Sequence, residues 1–187
     1  MNRRDIPNII SMARILLVPL VVWLLMRERF AEALFLFAVA GASDALDGYL
    51  AKHFHWTSRL GSILDPLADK LLLVSSYLVL GWLGIIPVWL VVAVIVRDAL
   101  ILFGAIAYHY LIGHVEMAPT LVSKINTFAQ IVLVLALVMS LSVMPLPPWA
   151  IAGMIYFVLA TTVLSGLDYF RTWTIRALRV RSGRHCR

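Results

Sequence analysis

The sequence predicts an all-α fold, an integral membrane bundle of six transmembrane helices with both termini on the cytoplasmic side. Three observations carry this expectation. Of 187 residues, 62% are hydrophobic and only 14% charged, and the apolar runs far exceed the roughly 10 to 14 residues of a buried core helix. Turn signals divide these runs into six segments, each close to the roughly 20 residues that a bilayer core demands. The lysines and arginines also fall mostly on alternate connections, the pattern produced when basic loops are retained in the cytoplasm.

The first span runs from Ile9 to Met26, behind Arg3 and Arg4. It carries Arg14 and lacks a small-residue cleavage site, so it reads as mature structure rather than a removed signal peptide. Arg14 lies about a turn inside the span and reads as an interfacial anchor. The Arg27-Glu28-Arg29 step leads to the second span, Ala33 to Lys52. These two arginines oppose the charge rule, but Glu28 and Glu32 stand beside them. A loop with His53, His55 and Arg59 precedes the third span, Ser62 to Leu83, and its histidines read as solvent-facing. An uncharged turn ending near Pro87 leads to the fourth, Ile86 to Tyr108. Gly113 to Pro119 separates this from the fifth, Leu121 to Val143, which Lys124 opens. The uncharged stretch Met144-Pro145-Leu146-Pro147-Pro148 precedes the sixth, Trp149 to Tyr169. Trp82, Trp89 and Trp149 fit an aromatic belt at the far interface. Asp168 is expected to pair with a neighbouring arginine. Connections this short leave room for a single domain over residues 1–187.

A net charge of +6 raises the question of nucleic acid. The basic residues border membrane spans, however, and no nucleic-acid module is present. Arg171, Arg176, Arg179, Arg181, Arg184 and Arg187 read as a topology anchor on a solvated basic helix. Such juxtamembrane bases attract anionic lipid headgroups by about 1 kcal/mol each. Cys186 is the one cysteine, which excludes a disulfide framework or a cysteine-based zinc site.

The informative cluster is acidic. Asp44, Asp47, Asp65 and Asp69 fall in one stretch of a membrane-class chain. Each unpaired carboxylate near hydrocarbon costs about 2.5 kcal/mol or more, so four together call for a compensating cation. Asp44 and Asp47 are three apart and Asp65 and Asp69 four apart, so each pair shares a helix face on successive turns. Magnesium takes oxygen ligands and is usually held by a few carboxylates with water and substrate phosphates. Gly48 and Ala51 lie on the stripe of Asp44 and Asp47, and Gly61 one turn before Asp65. Small residues there admit close helix packing or a closely approaching ligand. Pro66 removes a backbone donor, which kinks the third span or marks its effective start.

This arrangement, Asp44-x2-Asp47-Gly48-x2-Ala51-Lys52-x8-Gly61-x3-Asp65-x3-Asp69, resembles the signature of the CDP-alcohol phosphatidyltransferases. The likeness extends over almost the whole chain, including Ile6-Pro7-Asn8 at the start. One departure is Lys52, where the family usually has arginine; lysine keeps the charge but loses the planar fork. The resemblance implies that Asp44, Asp47, Asp65 and Asp69 hold two magnesium or manganese ions. It implies further that Asp69 takes the proton from the acceptor hydroxyl. Asn8, Asp44, Gly48, Ala51, Lys52 and Gly61 would line the pocket for the CDP group of CDP-diacylglycerol. A homodimer is likewise implied by the resemblance alone.

Within the family the chain looks most like the glycerophospholipid branch, whose acceptors are glycerol 3-phosphate or phosphatidylglycerol. Pro119-Thr120-Leu121-Val122-Ser123-Lys124-Ile125-Asn126-Thr127-Phe128-Ala129-Gln130 resembles the stretch found in members that use phosphatidylglycerol. Arg97-Asp98 stands where the glycerol 3-phosphate users tend to have Arg-Glu and a second arginine eight residues on, but here that position is Ala105. A phosphomonoester needs a more basic pocket than a phosphodiester, so the missing arginine favours phosphatidylglycerol. Arg97 and Lys124 are the candidates to hold the acceptor phosphate. The alternatives are that Arg97 and Asp98 merely balance one another, and that Lys124 snorkels to the interface. A cation transporter would also explain intramembrane aspartates, but no inverted repeat or broken helix pair accompanies them.

Overall fold

A computed structural model describes the backbone of residues 6–54, 61–112 and 121–183, and the side chains of residues 12–43, 67–104, 121–169 and 171. Among the described residues the chain is all helix: α1 (Ile6–Met26), α2 (Phe30–Phe54), α3 (Gly61–Trp82), α4 (Val88–Ile112), α5 (Leu121–Ser142) and α6 (Pro148–Gly183). The six apolar segments of the sequence each became one helix.

The turns show why the helices stop where they do. After α1, Glu28 takes a left-handed backbone (φ 56°), and the Arg29 amide donates back to the Leu24 carbonyl at 2.9 Å. After α3, Gly84 does the same (φ 73°), with Ile85 donating to Leu80 at 2.9 Å. Both are αL terminations that satisfy orphan carbonyls, and glycine is the residue that adopts them without steric cost. The flanking charges of the first turn are paired, Arg29 with Glu32, and Arg27 lies over the Trp23 ring. Pro148 opens α6 at a position where its missing amide is no loss.

Two boundaries decide between or extend the sequence expectations. Helix α3 begins at Gly61, so Pro66 lies within it and does not mark its start. Helix α6 continues for 36 residues, about 54 Å at the usual rise. It does not stop at Tyr169, because its hydrophobicity ends there while its helix-compatible, arginine-rich sequence continues.

Helix α1 packs chiefly on α3 and α2, and α6 on α5 and α4, with α5 also against α2. The core joins Val21, Leu24 and Leu25 of α1 to Tyr77 and Leu80 of α3, Leu90 and Val94 of α4, and Leu133 and Leu137 of α5. A Cβ on Gly81 would stand 2.7 Å from Val91 Cγ2. That glycine is therefore what lets α3 and α4 approach so closely, the use of small residues seen at membrane helix interfaces.

Beside this apolar core the bundle buries polar side chains and exposes large apolar ones. Arg14, Arg97, Asp98, Asn126, Gln130 and Ser165 are buried, while Leu16, Phe35, Phe103, Phe128, Phe157 and Leu164 are exposed. Among the described residues, Leu121–Ser142 and Pro148–Tyr169 are each long and apolar enough to cross a membrane, and Met12–Met26 and Phe30–Ser43 are shorter apolar stretches.

Candidate active site

Asp69 is the one of the four aspartates whose side chain is described. Helices α1 and α3 lie side by side, and this brings Arg14 Nη1 to 2.7 Å from Asp69 Oδ1. The Arg14 side chain is 1% exposed and the Asp69 side chain 49%. A buried guanidinium thus holds a carboxylate that still reaches outward. Arg14 is therefore not an interfacial anchor, as its position near the span's start had suggested. Its stem points into the bundle because the neighbouring helix supplies the carboxylate.

Asp69 and Arg14 line a cavity of about 150 Å³. Its other walls are apolar: Phe37 and Ala40 of α2, Leu72 of α3, and Ile131 and Val134 of α5. Gly41 also lines it, and a Cβ there would meet nothing within 4 Å. A polar oxygen donor lining an otherwise apolar recess suits a molecule with a charged group and a hydrocarbon portion.

A second polar cluster joins Lys70 of α3 to α4, α5 and α6. Arg97 of α4 is buried, and its Nη1 donates to Asp98 Oδ1 at 2.8 Å. Its Nη2 donates to Ser123 Oγ of α5 and Ser165 Oγ of α6, both at 2.6 Å, and Nε donates to the same Ser165 at 3.2 Å. Although adjacent on a helix, Arg97 and Asp98 do form an ion pair, because the long arginine stem bends back to its neighbour. Lys70 of α3 adds a second cation to the same carboxylate oxygen, at 2.7 Å. Deeper along α5, Asn126 Oδ1 accepts from Thr161 at 3.0 Å and Thr162 at 2.9 Å. Lys124 is exposed and borders a shallow groove with Ser123, Thr127, Phe128 and Ile131.

Sequence reasoning missed Lys70. The signal available was its charge next to Asp69 in an otherwise apolar helix. The expected partner of Asp168 is not found among the described residues; Arg171, three positions on, makes no ion pair with it. Asn8, Asp44, Asp47, Gly48, Ala51, Lys52, His53, Gly61, Asp65 and Ala105 lie on helices, but their side chains are outside the described residues. His55, Arg59, Pro119 and Thr120 are outside them altogether.

The sequence matches the family model for CDP-alcohol phosphatidyltransferase over residues 4–174. It is 37% identical over 151 residues to cardiolipin synthase (CMP-forming) of Rattus norvegicus, covering 72% of this chain and 50% of that protein. It is 44% identical over 103 residues to cardiolipin synthase (CMP-forming) of Streptomyces coelicolor, covering 52% and 48%. It is also 31% identical over 197 residues to CDP-diacylglycerol--glycerol-3-phosphate 3-phosphatidyltransferase of Bacillus subtilis, covering 90% and 95%. The chain spans about half the length of these cardiolipin synthases and nearly all of the Bacillus protein. A match that takes in all six helices but the end of α6, and with them the whole aspartate pattern, places the chain in the CDP-alcohol phosphatidyltransferase family.

Proposed function

We propose that this protein is a membrane enzyme that transfers the phosphatidyl group of CDP-diacylglycerol to the hydroxyl of a glycerol-containing acceptor and releases CMP. The observation that carries the reading is Asp69, a half-exposed carboxylate that is held by a buried arginine and lines an otherwise apolar cavity. A lipid substrate needs such a junction between charge and hydrocarbon. The large apolar side chains exposed on every helix support six membrane spans, since leucine and phenylalanine there are stable in lipid and costly in water. The distribution of basic residues supports cytoplasmic termini and a site at the cytoplasmic face.

In the reaction, the acceptor oxygen attacks the phosphorus that carries the diacylglycerol. A new P–O bond forms, the anhydride bond to CMP breaks, and the hydroxyl proton passes to Asp69. Arg14 fixes the Asp69 carboxylate so that it presents to the incoming hydroxyl without searching rotamers. Asp44 is one turn beyond Ala40, a wall residue of the cavity, and Asp65 is one turn before Asp69 in α3. This spacing supports the assignment of the four aspartates as the residues that would hold divalent ions. A half-exposed carboxylate oxygen is a fitting donor for a hard cation. Two bound magnesium or manganese ions would supply neutralisation of the pyrophosphate and polarisation of the attacked phosphorus. The CDP group is assigned to Asn8, Asp44, Gly48, Ala51, Lys52 and Gly61, on the family pattern.

The acceptor is assigned as phosphatidylglycerol, a phosphodiester with one negative charge. Lys70, Arg97 and Asp98 together carry one net positive charge, which balances a diester better than a phosphomonoester of nearly two. Glycerol 3-phosphate is the second reading, favoured by the likeness to the Bacillus protein over almost its full length. A cation transporter gives no account of the family match. The test supplies purified protein with CDP-diacylglycerol, magnesium and labelled phosphatidylglycerol or glycerol 3-phosphate, and follows CMP and the lipid product. Cardiolipin formation is expected; phosphatidylglycerophosphate alone selects the second reading, and turnover with neither acceptor removes both.

A further inference from the structure

The charges around Asp98 do not balance. Its Oδ1 accepts from Arg97 at 2.8 Å and from Lys70 at 2.7 Å, so two cations share one carboxylate oxygen inside the bundle. Neither cation has another ionic partner among the described residues. Two like charges on one oxygen repel, and the repulsion is weakly screened where water is scarce. An anion arriving beside them relieves it.

The two cations differ in what they can still do. The Arg97 side chain is 5% exposed, and four of its five donors are used on Asp98, Ser123 and Ser165. The Lys70 side chain is 40% exposed. Its ammonium has three donors, of which Asp98 takes one. Lys70 also follows Asp69 directly on α3, so the accessible cation and the carboxylate of the reaction centre are neighbours in the same helical turn.

We propose that Lys70 makes the direct contact with the phosphate of the acceptor, and that the Arg97–Asp98 pair is a positioning device that holds the Lys70 ammonium one residue along α3 from Asp69. The proposal rests on the phosphatidyltransferase reading above. It moves Arg97 from the ligand to the support: the fork ties α4 to α5 and α6, Asp98 is thereby fixed, and Asp98 aims Lys70. The ligand class is a phosphate ester bearing a glycerol hydroxyl, whether a lipid headgroup or a free small molecule.

The test measures kcat and KM for each substrate with the purified full-length protein, magnesium and CDP-diacylglycerol, using phosphatidylglycerol in one arm and glycerol 3-phosphate in the other. Lys70→Met is expected to raise the acceptor KM about tenfold or more, the loss of one charge-assisted hydrogen bond. The KM for CDP-diacylglycerol is expected to stay within about twofold, and Lys70→Arg to recover most of the loss. Asp98→Asn is expected to raise the acceptor KM as well, but to add little on top of Lys70→Met, because both act through one ammonium. The arm in which the shift occurs identifies the source of the phosphate. An acceptor KM unchanged in Lys70→Met, or an equal rise in both KM values, overturns this proposal while leaving the reaction in place. Wild-type turnover with neither acceptor overturns the phosphatidyltransferase reading and this proposal with it.

Discussion

Replacing Arg97 tests whether the polar centre of the bundle is a structural joint. The guanidinium makes four hydrogen bonds to three residues on three helices, Asp98 on its own α4, Ser123 on α5 and Ser165 on α6, with its side chain 5% exposed. Removing one member of a buried ion pair typically costs about 3–5 kcal/mol, since the remaining charge is left in a poor environment. Here Lys70 stays on Asp98 and softens that cost, so Arg97→Met is expected to destabilise by about 3 kcal/mol, the low end of that range. Arg97→Lys keeps the charge but not the fork, and loses at least one of the serine contacts. It should fall between wild type and Arg97→Met, with a loss of about 1–2 kcal/mol. The double change Arg97→Met with Asp98→Leu removes that pair and leaves Lys70, 40% exposed and able to reach water, so it should recover part of the loss. The assay is thermal unfolding in one detergent, read as the order of Tm values. If Arg97→Met unfolds with wild type, or if the double variant is no better than the single, the guanidinium is not the joint described.

Further outcomes follow from individual backbone and packing features. Glu28→Gly places the favoured residue at a φ of 56° and should stabilise the α1–α2 turn by about 1 kcal/mol, seen as a raised Tm. Gly81→Ala puts a methyl 2.7 Å from Val91 Cγ2 and should destabilise by about 1–3 kcal/mol, with Val91→Ala restoring much of the loss in the double variant. Chelation of divalent ions should abolish CMP release, and added magnesium or manganese should restore it; activity that survives chelation would remove the proposed role of the aspartates.

The sequence made six helices legible because apolar runs and turn residues are local signals, and each helix folds from neighbours in the chain. It left open whether Pro66 opens the third helix, and it bounded the last span at Tyr169 while the helix runs on to Gly183, because hydrophobicity marks the apolar stretch of a helix, not where its hydrogen bonding begins or ends. The spacing of the aspartates was legible for the same local reason. The partner of Asp69 was not, because it depends on α1 lying beside α3, and nothing in the run around Arg14 states that adjacency. Lys70 was hidden in the same way. Its role comes from Asp98, 28 residues distant and on another helix, while in the sequence it looks like one more charge near an interface.

The central claim is that Asp69 takes the proton from the acceptor, and the most direct measurement compares CMP release by wild type and Asp69→Asn with binding of CDP-diacylglycerol and magnesium by both. Loss of a general base typically costs a factor of about 10² to 10⁴, so release should fall by that factor or to nothing while CDP-diacylglycerol still binds. Turnover at the wild-type rate in Asp69→Asn would contradict the account.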